Sequence, residues 1–192
     1  MTKTLQKRTL ATHSKLLEAA RAVISEKSFE ALRVEEVVLR AGVAKGTFFS
    51  HFTDKDALME QLISEHINAY LNDLELRKAL NDVEDFVEAL LPMINFMTSE
   101  RYIFDLILRY SGAAAIEKVG DISMTFERHV KVVSSWLAVG PFRDDISPKL
   151  LAEGVQAFLV QAMALKFCAL HNSESLEDRL LTYLKAWLTP TL

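Results

Sequence analysis

Apolar residues recur at helical spacing along most of the chain. Between about Thr9 and Lys27 they share one face, at Leu16, Leu17, Ala20, Val23 and Ile24, while charged residues occupy the other. Similar patterns run from Val34 to Ala41 and from about Lys55 to Leu76. We therefore expect amphipathic helices in these segments. The intervening stretch from Lys45 to about His51 predicts a short polar helix rather than a core helix.

Caps and helix breakers divide the rest of the chain into five further helices. The signals are Asn81-Asp82, Thr98-Ser99, Ser111-Gly112, Gly140-Pro141, Ser147-Pro148 and Asn172-Ser173. The chain has only 6 glycines and 4 prolines among 192 residues, so few long loops are expected. The pattern predicts an all-α protein of about nine helices.

The last two predicted helices carry broad apolar surfaces. Pro148 to Leu170 is apolar on nearly all sides, but polar residues interrupt it, so we expect burial between protein surfaces and no membrane span. The helix from Leu176 to Leu188 is apolar on one face. Paired across two copies of the chain, these helices predict a four-helix homodimer interface. The predicted interface residues are Leu151, Val155, Phe158, Leu159, Ala162, Met163, Leu180, Leu184 and Trp187.

Charge is distributed unevenly around a net value of −4. Residues 1–55 contain ten Lys and Arg against six Asp and Glu, which leaves twelve against twenty in residues 56–192. A basic segment on an acidic body is typical of a module that meets phosphates, because each cation near a nucleic-acid backbone releases condensed counterions.

Several other chemistries are not expected. A single cysteine, Cys168, excludes an intramolecular disulfide and suits a reducing cytoplasm, and the first residues lack the apolar run of a signal peptide. Cys168 and His171 lie one helical turn apart, but without a further ligand we interpret them as packing residues. We find no nucleophile paired with a base and no phosphate-binding glycine loop, so we predict neither an enzyme nor a bound metal or cofactor.

Residues 33–52 have the layout of a helix-turn-helix. A helix is followed by a three-residue turn that begins with Gly42 and then by a second short helix. Gly42 can adopt the left-handed conformation that reverses the chain. Val43 fills the angle between the helices, and Val38 with Phe48 is expected to form their small shared core.

This segment is similar to the signature of the tetracycline-repressor (TetR) family. The matching residues are Ala41-Gly42-Val43, Lys45-Gly46-Thr47, Phe48-Phe49, His51-Phe52 and Lys55-Asp56, with Leu16-Leu17-Glu18-Ala19-Ala20 and Phe29 upstream. The detailed resemblance covers about residues 10 to 60. It implies a three-helix DNA-binding domain over 9–55, with the helix-turn-helix at 33–52, and a ligand-sensing and dimerisation domain over 56–192.

The resemblance also implies which residues meet DNA. Lys45, Thr47, Ser50 and His51 would face the major groove or its flanking phosphates, and Lys55 would hold a phosphate at a helix N-terminus. The full predicted set is Arg33, Val43, Ala44, Lys45, Gly46, Thr47, Phe49, Ser50, His51 and Lys55. Phe49 stands where the family usually has a tyrosine whose hydroxyl contacts a phosphate, and Phe49 cannot make that hydrogen bond.

A small-molecule pocket is implied in the second domain. Candidate walls among its many apolar residues are Met93, Met97, Phe104 and Phe126, since methionine and phenylalanine make adaptable linings. Arg109 is a candidate for meeting an anionic ligand. Its alternative interpretation is an ion pair with Asp105, one helical turn earlier.

The sequence therefore predicts a homodimeric repressor that binds a pseudo-palindromic double-stranded DNA operator and is released by a small molecule. Two alternatives stay open. One is a ligand-binding or scaffolding helical protein whose helix-turn-helix no longer binds DNA, as Phe49 and the net negative charge suggest. The other is an activator of the same family, which sequence does not separate from a repressor.

Overall fold

In the computed structural model the described residues are 2–77, 80–111, 119–171 and 173–190, and every regular element among them is an α-helix. The helices are α1 (Thr2–Glu26), α2 (Val34–Ala41), α3 (Lys45–Phe49), α4 (Lys55–Glu75), α5 (Val83–Met97), α6 (Arg101–Tyr110), α7 (Asp121–Leu137), α8 (Pro148–Lys166) and α9 (Leu176–Leu188). The predicted all-α class with nine helices is confirmed for the described part of the chain. Two predicted breakers, Gly112 and Asn172, lie outside it.

Two helix ends differ from the sequence-based prediction. Helix α1 begins at Thr2, seven residues before the predicted start at Thr9, and the added segment contains neither glycine nor proline to interrupt it. Helix α8 ends at Lys166 instead of Leu170. Beyond it the amide of Cys168 donates to the Leu165 carbonyl at 3.1 Å, a three-residue turn tighter than an α-helix.

The chain divides into two compact units, one up to Ile63 and one from Ser64 onward, so the division falls within α4. The first unit contains α1, α2, α3 and the start of α4. Its core includes fully buried residues from all four helices, among them Leu16, Val37, Phe48 and Leu58. Asp54 caps α4 by accepting a hydrogen bond of 2.8 Å from the Ala57 amide.

Gly42 makes the turn of the helix-turn-helix. It has φ 65° and ψ 37°, the left-handed conformation that the sequence predicts there. The Val43 amide donates to the Val38 carbonyl at 3.0 Å, and the Gly42 amide donates to the Leu39 carbonyl at 3.2 Å. These bonds satisfy the last carbonyls of α2 and reverse the chain immediately before α3.

The second unit is built from α5 to α9 and the rest of α4. Side chains of Asp82, Ser147 and Ser175 cap α5, α8 and α9 by accepting backbone amide hydrogen bonds. Helices α8 and α9 approach closely at Gly154, where a Cβ atom would lie 2.5 Å from the Trp187 indole. The Trp187 indole nitrogen donates to the Leu151 carbonyl at 3.0 Å. None of the described helices is long and apolar enough to cross a membrane.

Most of the residues predicted at the dimer interface belong to the core of this unit. Seven of the nine expose 4% or less of their surface within the single chain: Leu151, Val155, Leu159, Ala162, Met163, Leu180 and Leu184. A side chain that is buried in its own chain has almost no surface left for a partner, so these assignments are corrected. Phe158 and Trp187 are half-buried and remain predicted interface residues.

The left-handed turn predicts a stability difference between two glycines. Gly42→Ala should lower the free energy of unfolding by about 1–2 kcal/mol, because a side chain is strained at positive φ. Gly46→Ala is the matched control, since no atom lies within 4 Å of its added Cβ and its φ is not positive. Urea unfolding followed by circular dichroism measures both variants, and equal midpoints would contradict the assignment.

Candidate nucleic-acid interface and ligand cavity

Helix α3 is held in place by one buried aromatic side chain. Phe48 is fully buried, and its ring centroid lies 5.4 Å from that of Phe52, just past the helix. The helix ends at Phe49, two residues before the predicted end at His51. There the Ser50 hydroxyl donates to the Gly46 carbonyl at 3.0 Å, which closes the last turn. Residues 50 and 51 therefore form a turn that continues the same surface.

The residues predicted to contact DNA all reach the surface of the first unit. Six are exposed, namely Arg33, Ala44, Lys45, Gly46, Phe49 and Ser50, and four are half-buried, namely Val43, Thr47, His51 and Lys55. Phe49 is 50% exposed, so an apolar ring stands on this surface. The structure thus brings the predicted residues together around α3 and its flanking turns. It holds no DNA, and their contacts with it stay a prediction.

Several cations of this region are engaged by acidic neighbours. The Lys45 ammonium lies 2.5 Å from a Glu35 carboxylate oxygen, and its hydrogen bond lowers the pKa of Glu35. Arg40 binds Glu26 and Glu36 together, and its hydrogen bond lowers the pKa of Glu26. The pKa of Glu36 is lowered first by its hydrogen bond with Lys27 and then by Arg40. The surplus of basic residues counted from the sequence is therefore partly neutralised within the helix-turn-helix itself.

Two other predicted phosphate ligands are oriented by one carbonyl. The Lys55 ammonium donates to the Glu30 carbonyl at 3.0 Å, and the Arg33 guanidinium donates to the same oxygen at 3.1 Å. Each cation has further donors, so this anchoring positions Lys55 and Arg33 without preventing a phosphate contact.

Residues from α1 and α4 support His51, and sequence reasoning did not identify them. The His13 ring lies 5.6 Å from the His51 ring and stacks on Phe52 at 4.9 Å. His13 Nε2 also lies 3.1 Å from Gln61 Oε1. His13 and Gln61 are far from the motif in sequence, so no local pattern indicates this support.

A small cavity lies inside the second unit. Its volume is about 20 Å³, and its lining is mostly apolar: Ile67, Met93, Ile94, Met97, Thr125, Phe126, His129, Gln156, Leu159 and Met163. The predicted wall residues Met93, Met97 and Phe126 belong to this lining. Leu159 and Met163, which were predicted at the dimer interface, line it as well.

Two predicted pocket residues lie elsewhere. Phe104 is buried against Phe167, with ring centroids 5.3 Å apart. The guanidinium of Arg109 lies 5.9 Å from the ring centroid of Tyr110. Both residues sit on α6, which contributes no side chain to the described lining of the cavity. The assignment of Phe104 and Arg109 to a ligand site stays a prediction. Asp105 forms a 3.7 Å ion pair with Arg101.

The polar residues of the cavity were missed by sequence reasoning. The Thr125 hydroxyl donates to the Ile122 carbonyl of its own helix at 2.7 Å. His129 Nε2 and Gln156 Oε1 are buried, and neither has a hydrogen-bond partner among the described residues. Burial lowers the pKa of His129 from 6.5 to about 4, and interaction with the neighbouring Gln156 side chain opposes part of this shift. The imidazole is therefore neutral at pH 7.

Next to this cavity, Arg128 ties α7 to α4. Its guanidinium donates to both carboxylate oxygens of Glu75, at 2.8 and 2.7 Å. It also donates to Asn68 Oδ1 at 2.8 Å and Asn72 Oδ1 at 2.7 Å. Arg128 and Asn68 each adjoin a cavity residue in sequence, His129 and Ile67. If the cavity widens by separation of α4 and α7, these hydrogen bonds of Arg128 must stretch or break.

Residues 16–62 match the family model of the bacterial regulatory proteins of the tetR family. That match covers the helix-turn-helix whose left-handed turn and surface helix are described above. Residues 16–62 therefore carry the N-terminal segment that is typical of the TetR family. The sequence resemblance is thereby confirmed.

Similar proteins agree with this resemblance to the TetR family. An uncharacterised HTH-type transcriptional regulator of Bacillus subtilis, YvdT, is 35% identical over 112 residues, and the match spans 57% of each chain. The HTH-type transcriptional repressor DhaR of a Mycobacterium species is 26% identical over 92% of each chain. The crystal structure of Thermus thermophilus FadR, a TetR-family repressor in complex with lauroyl-CoA, superposes with a TM-score of 0.65 over 91% of this chain and 92% of that one. At 16% identity, this last likeness establishes the fold.

The buried neutral imidazole predicts a pH dependence of folding. Because the folded pKa of His129 is depressed to about 4, the unfolded chain takes up a proton between pH 6.5 and 4 that the folded chain refuses. Its contribution to the free energy of unfolding is complete above pH 6.5 and declines by up to about 3 kcal/mol as the pH falls through this window. Urea unfolding at several pH values should show this loss in the wild type and a smaller one in His129→Leu. His171→Gln, at an exposed histidine, should behave like the wild type.

Proposed function

We propose that this protein is a homodimeric transcriptional repressor that binds a pseudo-palindromic DNA operator and is released by a small molecule. Residues 9–55 bind DNA, and residues 56–192 bind the ligand and the second copy. The observation that carries the proposal is the surface of α3 and its flanking turns. Ten exposed or half-buried residues lie on or beside this helix, which Gly42 and Phe48 hold in helix-turn-helix geometry.

Two of the similar proteins support repression and ligand control. DhaR is named a transcriptional repressor, and the Thermus FadR structure is a repressor with a bound acyl-CoA. In this chain the counterpart of a ligand site is the cavity of the second unit, which is lined by flexible methionines and can enlarge by rotamer changes. A TetR-type activator would use the same DNA-binding surface and ligand cavity. The position of the operator relative to the promoter decides between activation and repression.

The dimer is proposed to form through α8 and α9. Phe158, Tyr183 and Trp187 are half-buried, and the Phe158 ring contacts the other two, with centroids 5.3 Å from Tyr183 and 5.9 Å from Trp187. Aromatic side chains of this kind contribute much of the energy of protein interfaces. A second copy of the chain would cover their exposed edges and place two α3 helices to face successive major grooves, roughly 34 Å apart.

Release by a ligand requires only that the ligand prefers one arrangement of the dimer. Its effect on operator affinity cannot exceed the ratio of its affinities for the two arrangements. The competing proposal is a ligand-binding protein that no longer binds DNA. The apolar Phe49 and the Lys45–Glu35 ion pair are the observations that favour it.

DNA binding is tested with the purified protein and DNA from upstream of its own gene, at two salt concentrations. The double variant Lys45→Ala, His51→Ala should bind roughly 10- to 100-fold more weakly than the wild type and with a shallower salt dependence, because contacts to bases and phosphates are lost. Lys131→Ala, which removes an exposed lysine of the second unit, should leave binding unchanged. Weak binding by the wild type that both variants share would favour the protein without DNA-binding activity.

The ion pair at Lys45 predicts a gain of affinity. Glu35→Gln removes the carboxylate that competes with DNA phosphates for the Lys45 ammonium, so it should tighten DNA binding and steepen its salt dependence. The matched control is Glu18→Gln, which removes an exposed carboxylate from α1. Fluorescence anisotropy with labelled DNA measures both, and a loss of affinity in Glu35→Gln would show that the pair positions Lys45 instead of competing for it.

A further inference from the structure

The cavity of the second unit has a lining with a definite chemistry. Its described lining residues include no Asp, Glu, Lys or Arg, so nothing there compensates the charge of an ionic ligand. Three methionines, Met93, Met97 and Met163, and one aromatic ring, Phe126, face it. Methionine sulfur makes favourable contacts with aromatic edges, and this lining therefore suits an aromatic body better than a flexible chain.

Two polar atoms interrupt this apolar surface without partners of their own. His129 is 4% exposed, and its Nε2, like Gln156 Oε1, has no hydrogen-bond partner within the described structure. The third polar group, the Thr125 hydroxyl, already donates to the Ile122 carbonyl. Buried polar atoms are seldom left unpaired in folded proteins, and such a pair in a cavity marks a place for a hydrogen-bonding guest.

The two atoms together specify the guest. Gln156 Oε1 accepts a hydrogen bond, and the neutral imidazole of His129 donates one in the tautomer that carries its proton on Nε2. A single hydroxyl group satisfies both, because it donates to the first and accepts from the second. At about 20 Å³ the cavity has room for one water molecule, and a water placed there would make the same two bonds in the absence of a ligand.

We propose that this cavity binds an uncharged aromatic molecule with one hydroxyl group, a phenol, whose hydroxyl bonds to both His129 and Gln156 while the methionine side chains shift to admit its ring. This proposal names the class of ligand for the proposed ligand response. An effect of the phenol on DNA binding rests on the proposed function, whereas binding of the phenol to the cavity does not.

Binding is tested by titration calorimetry on the full chain with three probes of similar size. These are 4-propylphenol, 4-propyltoluene, in which a methyl replaces the hydroxyl, and the anion 4-propylbenzoate. The wild type should bind the phenol about tenfold or more tightly than the toluene, because the toluene leaves both polar atoms unpaired. The benzoate should bind more weakly than the phenol. Equal affinity for phenol and toluene, tighter binding of the benzoate, or no binding of the phenol overturns the proposal.

Variants separate recognition from folding. His129→Leu and Gln156→Leu should still bind 4-propyltoluene, which shows that the cavity is intact, but should lose the preference for the phenol. Thr125→Val is the matched control, because the hydroxyl that it removes is already bonded within its own helix, and it should retain the preference. A preference that survives in both leucine variants would place hydroxyl recognition elsewhere and overturn the assignment.

A DNA-binding measurement with the same probes distinguishes this proposal from the proposed function. Under both proposals, 4-propylphenol should weaken binding of the wild type to its upstream DNA, and it should act less on His129→Leu. A selective phenol site in a protein that does not bind DNA would refute only the repressor. DNA binding in a protein without phenol selectivity would refute only the ligand assignment.

Discussion

Helix α3 has five residues, far fewer than the roughly 12 to 15 that an isolated helix needs for even marginal stability in water. Its position therefore depends on the rest of the first unit. Burial of Phe48 anchors α3 to the core of this unit, and the left-handed turn at Gly42 sets the direction of the helix. The exposed side chains of Ala44 and Lys45 consequently carry little of this packing. They can vary with the partner molecule, whereas Phe48 and Gly42 cannot vary without loss of the helix.

Electrostatics adds a second constraint on this surface. A cation that is already paired with a carboxylate gains less from a phosphate, because the existing pair must first be broken. Lys45 is in this position with Glu35, and Arg40 with Glu26 and Glu36. Such pairing weakens attraction to any DNA, and it leaves a larger share of the discrimination to contacts with the bases.

Sequence reasoning succeeded where the signals are local. Gly42, the Ser147 cap and the spacing of apolar residues lie within a few positions of the features that they determine, and the helix-turn-helix followed from Gly42 and this spacing. It failed where partners come from distant segments. The apolar faces of α8 and α9 look alike whether they pack within one chain or between two, so core residues such as Leu151 were assigned to the dimer interface. His129 and Gln156 resemble solvent-facing residues of amphipathic helices, and only the fold shows that they are enclosed.

The size of the cavity has a kinetic consequence. A space for one water molecule does not admit an aromatic ring, so the proposed ligand would require the surrounding helices to separate. If α4 and α7 are the helices that separate, the four side-chain hydrogen bonds of Arg128 to Asn68, Asn72 and Glu75 resist that opening. The rate of association is then governed by how often the helices open, and it reaches a plateau as the ligand concentration rises. Under the proposed function, such a regulator would respond to the sustained presence of a ligand and not to brief exposure, and the hydrogen bonds of Arg128 would help to set the rate of its response.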